Sequence, residues 1–180
     1  MEAVMKAKPS LEAIKALREE TGAAIGDVRS ALEEAGGDPE KARALLQQRG
    51  LQLAAKREGR VTGQGRIEAY IHHDGRIGAL VEVDCETDFV ARTDDFKRFC
   101  RELAMHVAAV GPRFLKPEDA PPNAKLSSEE LKAVSLLEQP FVKDQGTTVG
   151  ELLKALIAKT GENVVIRRFM KFAVGEGAAR

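Results

Sequence analysis

The residues best suited to chemistry lie in one acidic stretch with the sequence VEVDCETDFVAR. Asp84, Glu86 and Asp88 have the alternate spacing with which a calcium-binding loop presents its oxygen ligands. Such a loop needs glycine at its sixth position and a bidentate glutamate at its twelfth, whereas this chain has Phe89 and Asp95 there. The pattern therefore does not favour a calcium site.

Histidine and cysteine are the other residues that could hold a metal ion or act as a nucleophile. His72 and His73 are adjacent, and adjacent strand residues point to opposite faces, which disfavours a shared zinc ion. Cys100 and His106 are six residues apart on a predicted helix, which is neither one turn nor two. Cys85 and Cys100 are too few for a disulfide framework, and their apolar surroundings predict buried thiols.

A phosphate-binding loop is also not indicated. The glycine-rich run GRVTGQGRIE lacks the GxxxxGK(S/T) pattern and precedes a predicted strand, whereas such a loop opens a helix. We therefore predict neither a nucleotide hydrolase nor a bound cofactor.

Composition narrows the class of protein further. The 180 residues are 43% hydrophobic and 31% charged, as in ordinary globular proteins with one core and a small second domain. The 28 basic and 28 acidic residues give no net charge that would attract nucleic acid or an anionic membrane. Because no apolar run suits a membrane span and MEAVMKAKPSLEAIK lacks the apolar centre of a secretory signal, we expect a cytoplasmic protein.

The amino-terminal part of the chain predicts three short helices. Ser10 caps the first, which ends before Gly22, and the second stops at residues 36–37. The third begins after Asp38 and ends at Gly50. The apolar residues expected on their inner faces are Leu11, Ile14, Leu17, Ile25, Val28, Leu32, Ala35, Ala42, Leu45 and Leu46.

We predict three parts in the chain. Residues 1–50 form a compact three-helix domain of the ubiquitin-associated type, and 51–60 form a connector helix. Residues 61–180 form an α+β core domain, and glycines at 59, 63 and 65 mark the boundary.

The core domain predicts a small antiparallel sheet packed with helices. Arg66–Ile71 and Arg76–Asp84 flank an Asp74-Gly75 pair suited to a tight hairpin turn, and Asn163–Val174 is predicted as a third strand. A helix capped by Thr93 is expected to bury Phe96, Phe99, Cys100, Leu103, Val107 and Val110. A second helix, Thr148–Lys159, is expected to bury Val149, Leu152, Leu153, Leu156 and Ile157. Between these helices, Lys116–Ser128 predicts an exposed loop and Ser128–Leu137 a short helix.

Five ordered segments resemble the elongation factor Ts family of bacterial translation. They are LREETGAAIGDVRSALEEAGGDPEKARALL from Leu17, IHHDGRIGALVEVDCETDFVAR, ELAMHVAA from Glu102, EQPFVKD from Glu138, and the carboxy-terminal FAVGEG. The resemblance implies a guanine nucleotide exchange factor for elongation factor Tu that does no covalent chemistry. Such a factor binds the GDP-bound GTPase, loosens its magnesium and phosphate contacts, and stabilises its empty form.

The resemblance also implies two partner-binding surfaces. Asp88 and Phe89, flanked by Thr87 and Val90, match a wedge that enters between partner helices near the magnesium site. The residues that match a docking surface for the partner's nucleotide domain are Arg18, Ile25, Gly26, Asp27 and Arg29. His106, in the AMHVA segment, is a further candidate for the interface.

The chain departs from the family pattern in two places. Ile25-Gly26 stands where many members carry two methionines. Longer members have two copies of the core subdomain and a helical hairpin inserted between AMHVA and QPFV, whereas this chain has one set of core strands and only Pro112–Leu137 between these segments. Because a single three-stranded sheet leaves an edge and a face to cover, we expect a symmetric homodimer, as in short members of the family.

Other interpretations stay open on the residues alone. Ile25 and Phe89 could be core residues of their own domains, and Arg18 and Arg29 could be ordinary solvated charges. The three-helix domain alone could be the binding module of an unrelated adaptor. An RNA-associated role is disfavoured by the neutral charge and the few aromatic residues.

Overall fold

The computed structural model describes residues 8–176. Residues 1–7, which begin the MEAVMKAKPSLEAIK segment, and 177–180, which include the last residue of FAVGEG, lie outside the described part. The helices are α1 (Leu11–Thr21), α2 (Ile25–Glu34), α3 (Pro39–Arg57), α4 (Asp88–Ala91), α5 (Asp94–Val110), α6 (Ser128–Ala133) and α7 (Val149–Thr160). The strands are β1 (Gln64–Ile71), β2 (Ile77–Cys85), β3 (Pro140–Phe141), β4 (Asp144–Thr148) and β5 (Val164–Ala173). Short 3-10 turns cover Pro117–Asp119 and Leu136–Glu138.

The predicted α+β class is confirmed, with three helices followed by a small antiparallel sheet packed with helices. The division at residues 50 and 60, and the ubiquitin-associated character of the first part, stay predictions. No helix in residues 8–176 is long and apolar enough to cross a membrane.

The first three helices begin where their capping residues indicate. The Ser10 hydroxyl accepts the Ala13 N–H, and the Asp38 carboxylate accepts two N–H groups of the first turn of α3. The core of this part is formed by Ile14, Leu17, Val28, Ala31, Leu32, Ala42 and Leu46. The prediction that Leu11 and Ile25 face this core is wrong, because both side chains are exposed.

Helix α3 corrects the predicted end of the third helix. It continues through Gly50 to Arg57, so the predicted third helix and connector are one helix of 19 residues. The reason is tertiary packing, since a Cβ added at Gly50 would lie 2.9 Å from the Cβ of Ala158 on α7. The glycine allows two helix backbones to approach closely and does not terminate α3.

The main sheet has the strand order β1-β2-β5, with both pairs antiparallel. The predicted hairpin and third strand are therefore confirmed. Gly75 has a φ of 70° in the turn, and the Asp74 carboxylate accepts the Arg76 N–H. The small hairpin of β3 and β4 is not among the predicted elements.

One face of the sheet is covered by helices. Helix α5 packs across all three strands, and α7 packs beside α5 and against α3. The buried side chains of this core include Val81, Val83, Phe96, Cys100, Leu103, Val107, Leu136, Leu156 and Ile166. Val110, predicted on the buried face of α5, is exposed because it lies at the end of the helix.

The opposite face carries an exposed apolar patch, here called the outer sheet face. In the register, Leu80 of β2 lies between Ala69 and Met170. The exposed apolar residues of this face and its hairpin end are Ile67, Ile71, Leu80, Met170, Phe172 and Val174. Antiparallel sheets normally have a polar face where they meet water, so this face is unusual for a free surface.

Candidate functional site

Phe89 lies on the short helix α4, which connects β2 to α5. Its side chain is 80% exposed. The neighbouring Val90 and Ala91 pack against the main core and fix the opposite side of α4. The alternative that Phe89 is an ordinary core residue is therefore wrong, and the aromatic ring projects from the surface.

Hydrogen bonds within the turn define both ends of α4. The Thr87 hydroxyl caps the helix by accepting the Val90 N–H at 3.4 Å. The half-exposed Asp88 carboxylate lies 3.0 Å from the Arg92 guanidinium, one turn later. Thr93 then caps α5 by accepting the Phe96 N–H, which confirms the predicted start of that helix. Thr87 and Asp88 thus shape the turn, and Phe89 is its exposed large apolar residue.

A residue outside the predicted site, just before the neighbouring strand β5, holds this turn. The Glu162 carboxylate accepts the Thr87 N–H at 3.0 Å and the Thr87 hydroxyl at 2.6 Å. Glu162 is not among the predicted site residues because 75 residues separate it from Thr87. The only local signal was its position just beyond the glycine that ends α7.

The acidic residues near Phe89 do not converge on a common point. Asp84 pairs with Arg167 at 2.7 Å, and Asp95 pairs with Lys159 at 2.7 Å. The Asn163 backbone N–H, donated to Glu86 at 2.7 Å, lowers the pKa of that carboxyl. Within residues 8–176, no group of three or more His, Cys, Asp or Glu side chains is arranged to hold a metal ion.

The second predicted surface lies at the start of α2. Ile25 is 61% exposed, so the alternative that it belongs to the core of the first three helices is wrong. A Cβ added at Gly26 would meet no described atom within 4 Å, which leaves open space for another molecule. Asp27 and Arg18 are exposed, and Arg29 is paired with Glu33 at 2.9 Å on the surface. Gly26, Asp27 and Arg29 thus accompany exposed Ile25 on the first turns of α2, while Arg18 lies on α1.

His106 is in a different environment from the other predicted site residues. Its side chain is completely buried, so the imidazole offers no surface to a partner in this chain. The ring Nδ1 accepts the Val142 N–H at 3.2 Å, and Nε2 lies 3.0 Å from the Gln139 Oε1. His106 thus joins α5 to the segment that carries QPFV.

The two cysteines are unsuited to nucleophilic chemistry. Both are buried free thiols. Burial raises the pKa of Cys85 to about 11 and that of Cys100 to about 12. Because the thiolate is the reactive form, both side chains are inert at neutral pH.

Comparisons with known proteins agree on one family. A family model described as elongation factor TS matches residues 12–133, which is more than half of the chain. A protein of Rubrobacter xylanophilus named Elongation factor Ts is 49% identical, over 90% of this chain and 97% of its own length. Proteins of the same name from Carboxydothermus hydrogenoformans and Moorella thermoacetica are 46% and 45% identical. They cover 93% and 91% of this chain, and 89% and 94% of their own lengths.

Proposed function

Because the chain belongs to the elongation factor Ts family, we propose that it is a guanine nucleotide exchange factor acting on elongation factor Tu. It binds the GDP-bound GTPase, disturbs the magnesium and phosphate contacts of the nucleotide, and leaves the partner free to take up GTP. No covalent step is involved. A cytoplasmic location follows from this role in the elongation step of protein synthesis.

The observation that carries the proposal is the exposed ring of Phe89. A large apolar side chain that points into water gains free energy only when another molecule buries it. The half-exposed Asp88 carboxylate belongs to the residue next to Phe89 in the turn. In this proposal, it approaches the site where the partner holds its metal and phosphates. Entry of this pair into the partner favours the nucleotide-free form.

Binding of GDP and binding of the exchange factor to the same partner are thermodynamically linked. If the exchange factor weakens GDP binding by some ratio, GDP weakens binding of the factor by the same ratio. Each tenfold gain in release requires about 1.4 kcal/mol of differential stabilisation, so ten thousandfold requires about 5.5 kcal/mol. Burial of one Phe supplies about 1.5–3 kcal/mol. An acceleration of that size therefore requires a second contact.

The start of α2 provides the second contact in this proposal. Exposed Ile25 and the open space beside Gly26 suit close approach of a partner backbone. Arg18, Asp27 and Arg29 give this surface charged groups that fix orientation more than affinity. His106 contributes by holding the QPFV segment, since its own side chain is buried.

We further propose that two copies of the chain associate through the outer sheet face. Ile67, Leu80, Met170 and Phe172 form one apolar surface on adjacent strands. A second copy offers the same surface, which is the self-complementarity that a twofold dimer needs. The charged pair of Glu82 and Arg168 borders this patch and marks its polar rim.

The test is release of fluorescently labelled GDP from elongation factor Tu, followed with and without this chain. We expect release to accelerate with increasing concentration of the chain and to reach a plateau. Release at the spontaneous rate at every concentration would contradict the proposal. It would favour the adaptor interpretation, in which the three-helix part binds an unrelated protein.

A further inference from the structure

The segment Lys159–Asn163, here called the α7 terminus, holds α4 from both sides. Ahead of Phe89, Glu162 binds Thr87, and the Asn163 N–H binds the Glu86 carboxylate. Behind Phe89, the Lys159 ammonium pairs with Asp95 in the first turn of α5. The segment that carries the exposed ring is thus attached at both ends to a part of the chain far away in sequence.

The Glu162 carboxylate makes the most specific of these contacts. One oxygen accepts the Thr87 backbone N–H, and the other accepts the Thr87 hydroxyl. Because the hydroxyl donates its proton to Glu162, its lone pairs are directed toward the Val90 N–H that it caps. Hydrogen bonds to an ionised carboxylate are shorter and stronger than those between neutral groups.

Helix α4 depends on such an external hold. It has only four residues, which is far too short to be stable as an isolated helix. The ring of Phe89 is mostly exposed, so packing of the ring itself does not fix its direction. Its direction is therefore set by the backbone of α4, through the Thr87 cap and the packing of Val90.

We propose that Glu162 is a positioning residue for nucleotide exchange, which presents Phe89 to the partner in one fixed direction. This inference rests on the proposed exchange function. Glu162 acts through Thr87 and has no need to touch the partner. A residue of this kind affects exchange only as long as there is a ring to position.

The test is a double-mutant cycle that combines changes at Glu162 and Phe89. The measured quantity is the rate of labelled GDP release from elongation factor Tu at a saturating concentration of each variant. We expect Glu162→Ala to slow release about tenfold in the wild-type background, because small misplacements of an acting group carry large rate costs. In the Phe89→Ala background the same change slows release less than about twofold, since the two effects are coupled. Glu162→Gln stays within about threefold of wild type, because its amide can still bond Thr87. The matched control is Glu118→Ala, an exposed glutamate in the loop before α6, which leaves release unchanged.

A second measurement follows the ring without the partner. The chain has no tryptophan, so Phe89→Trp introduces a single indole, whose fluorescence can be excited selectively over that of Tyr70. Fluorescence anisotropy of this indole falls when Glu162→Ala is added, because α4 loses its hold.

The inference is overturned if elongation factor Tu releases GDP as fast with the Glu162→Ala variant as with the wild-type chain. It is also overturned if that change slows release by the same factor with and without Phe89, which is what general damage to the fold produces. The inference is likewise overturned if Glu162→Ala leaves the anisotropy of the Phe89→Trp indole unchanged. Failure of the proposed function is a separate result, since wild-type chain then gives no acceleration at all.

Discussion

At the scale of single residues, the buried imidazole of His106 connects parts of the core that are distant in sequence. Nδ1 accepts the Val142 N–H, so the proton of the neutral ring lies on Nε2 and is donated to Gln139. The Gln139 amide in turn donates to the Ala133 carbonyl at 2.7 Å. The network is complete only with a neutral ring.

This network gives stability a defined pH dependence. Burial lowers the pKa of His106 below its ordinary 6.5, so the unfolded chain binds a proton more readily than the folded chain. The free energy of unfolding therefore falls as the pH drops below about 6.5. Urea unfolding at pH 7 and pH 5 measures this loss.

Two variants assign the effect to His106. His106→Leu lowers stability at pH 7 by about 1–3 kcal/mol, because it leaves polar groups unpaired. Its free energy of unfolding depends less steeply on pH between 5 and 7 than that of wild type. His73→Leu, at an exposed histidine, keeps the wild-type slope. A wild-type slope in the His106 variant would show that another group titrates.

The exposure of an apolar residue depended on its position along the helix as well as on its spacing from other apolar residues. The spacing of Ile25 with Val28 and Leu32 fits one helix face, yet Ile25 is exposed because it is the first residue of α2. Leu11 fails for the same reason at the start of α1. Apolar periodicity predicts the middle of a helix well, but at the ends of a helix the neighbouring elements decide burial.

At the scale of elements, the contact between α3 and α7 depends on Gly50. A glycine within a helix costs about 1 kcal/mol relative to alanine, so its presence calls for a packing reason. That reason is Ala158, whose Cβ would lie 2.9 Å from a Cβ at position 50.

Alanine substitution at two helical glycines tests this contact. Gly50→Ala is expected to lower the free energy of unfolding by about 1–3 kcal/mol, because overpacking outweighs the gain in helix propensity. Gly26→Ala is the matched control, since a Cβ there meets open space. It is expected to leave stability unchanged or raise it by up to about 1 kcal/mol. Stabilisation of the chain by Gly50→Ala, in chemical denaturation, would contradict the close packing of α3 on α7.

Local signals predicted most elements, and long-range contacts explain the failures. The predicted caps Ser10, Asp38 and Thr93 all lie at helix starts, because capping is decided within four residues. Gly50 was misjudged because only its contact with α7 distinguishes it from a stop signal. The hairpin of β3 and β4 was not predicted because β3 has only two residues and β4, with the sequence DQGTT, has no apolar residue that could alternate with polar ones.

At the scale of the whole molecule, α7 connects the first three helices to the turn that carries Phe89. Ala158 contacts Gly50 of α3, and Lys159 lies against Gly22, which ends α1. The α7 terminus holds the turn that carries Phe89. Helix α7 therefore packs against α3 and the end of α1 on one side and carries the residues that hold the Phe89 turn on the other.

The proposed dimer is tested by charging the outer sheet face. Leu80 is central in that face, so Leu80→Glu is expected to give a monomer mass in light scattering at micromolar concentration, where wild type gives a dimer mass. The control is Leu11→Glu, which charges an exposed leucine on α1 and keeps the dimer. A monomer mass for the wild-type chain would exclude this assembly.

The most direct test of the account is the rate of labelled GDP release from elongation factor Tu with the Phe89→Ala variant. Loss of about 1.5–3 kcal/mol of burial predicts release about ten- to a hundredfold slower than with wild type. The thermal unfolding midpoint is expected to stay unchanged, because the ring is 80% exposed. The control is Val61→Ala, at an exposed apolar residue outside both proposed surfaces. With this variant, GDP is expected to leave elongation factor Tu at the same rate as with the wild-type chain. A rate of GDP release with the Phe89→Ala variant equal to that with the wild-type chain would contradict the claim that this ring drives exchange.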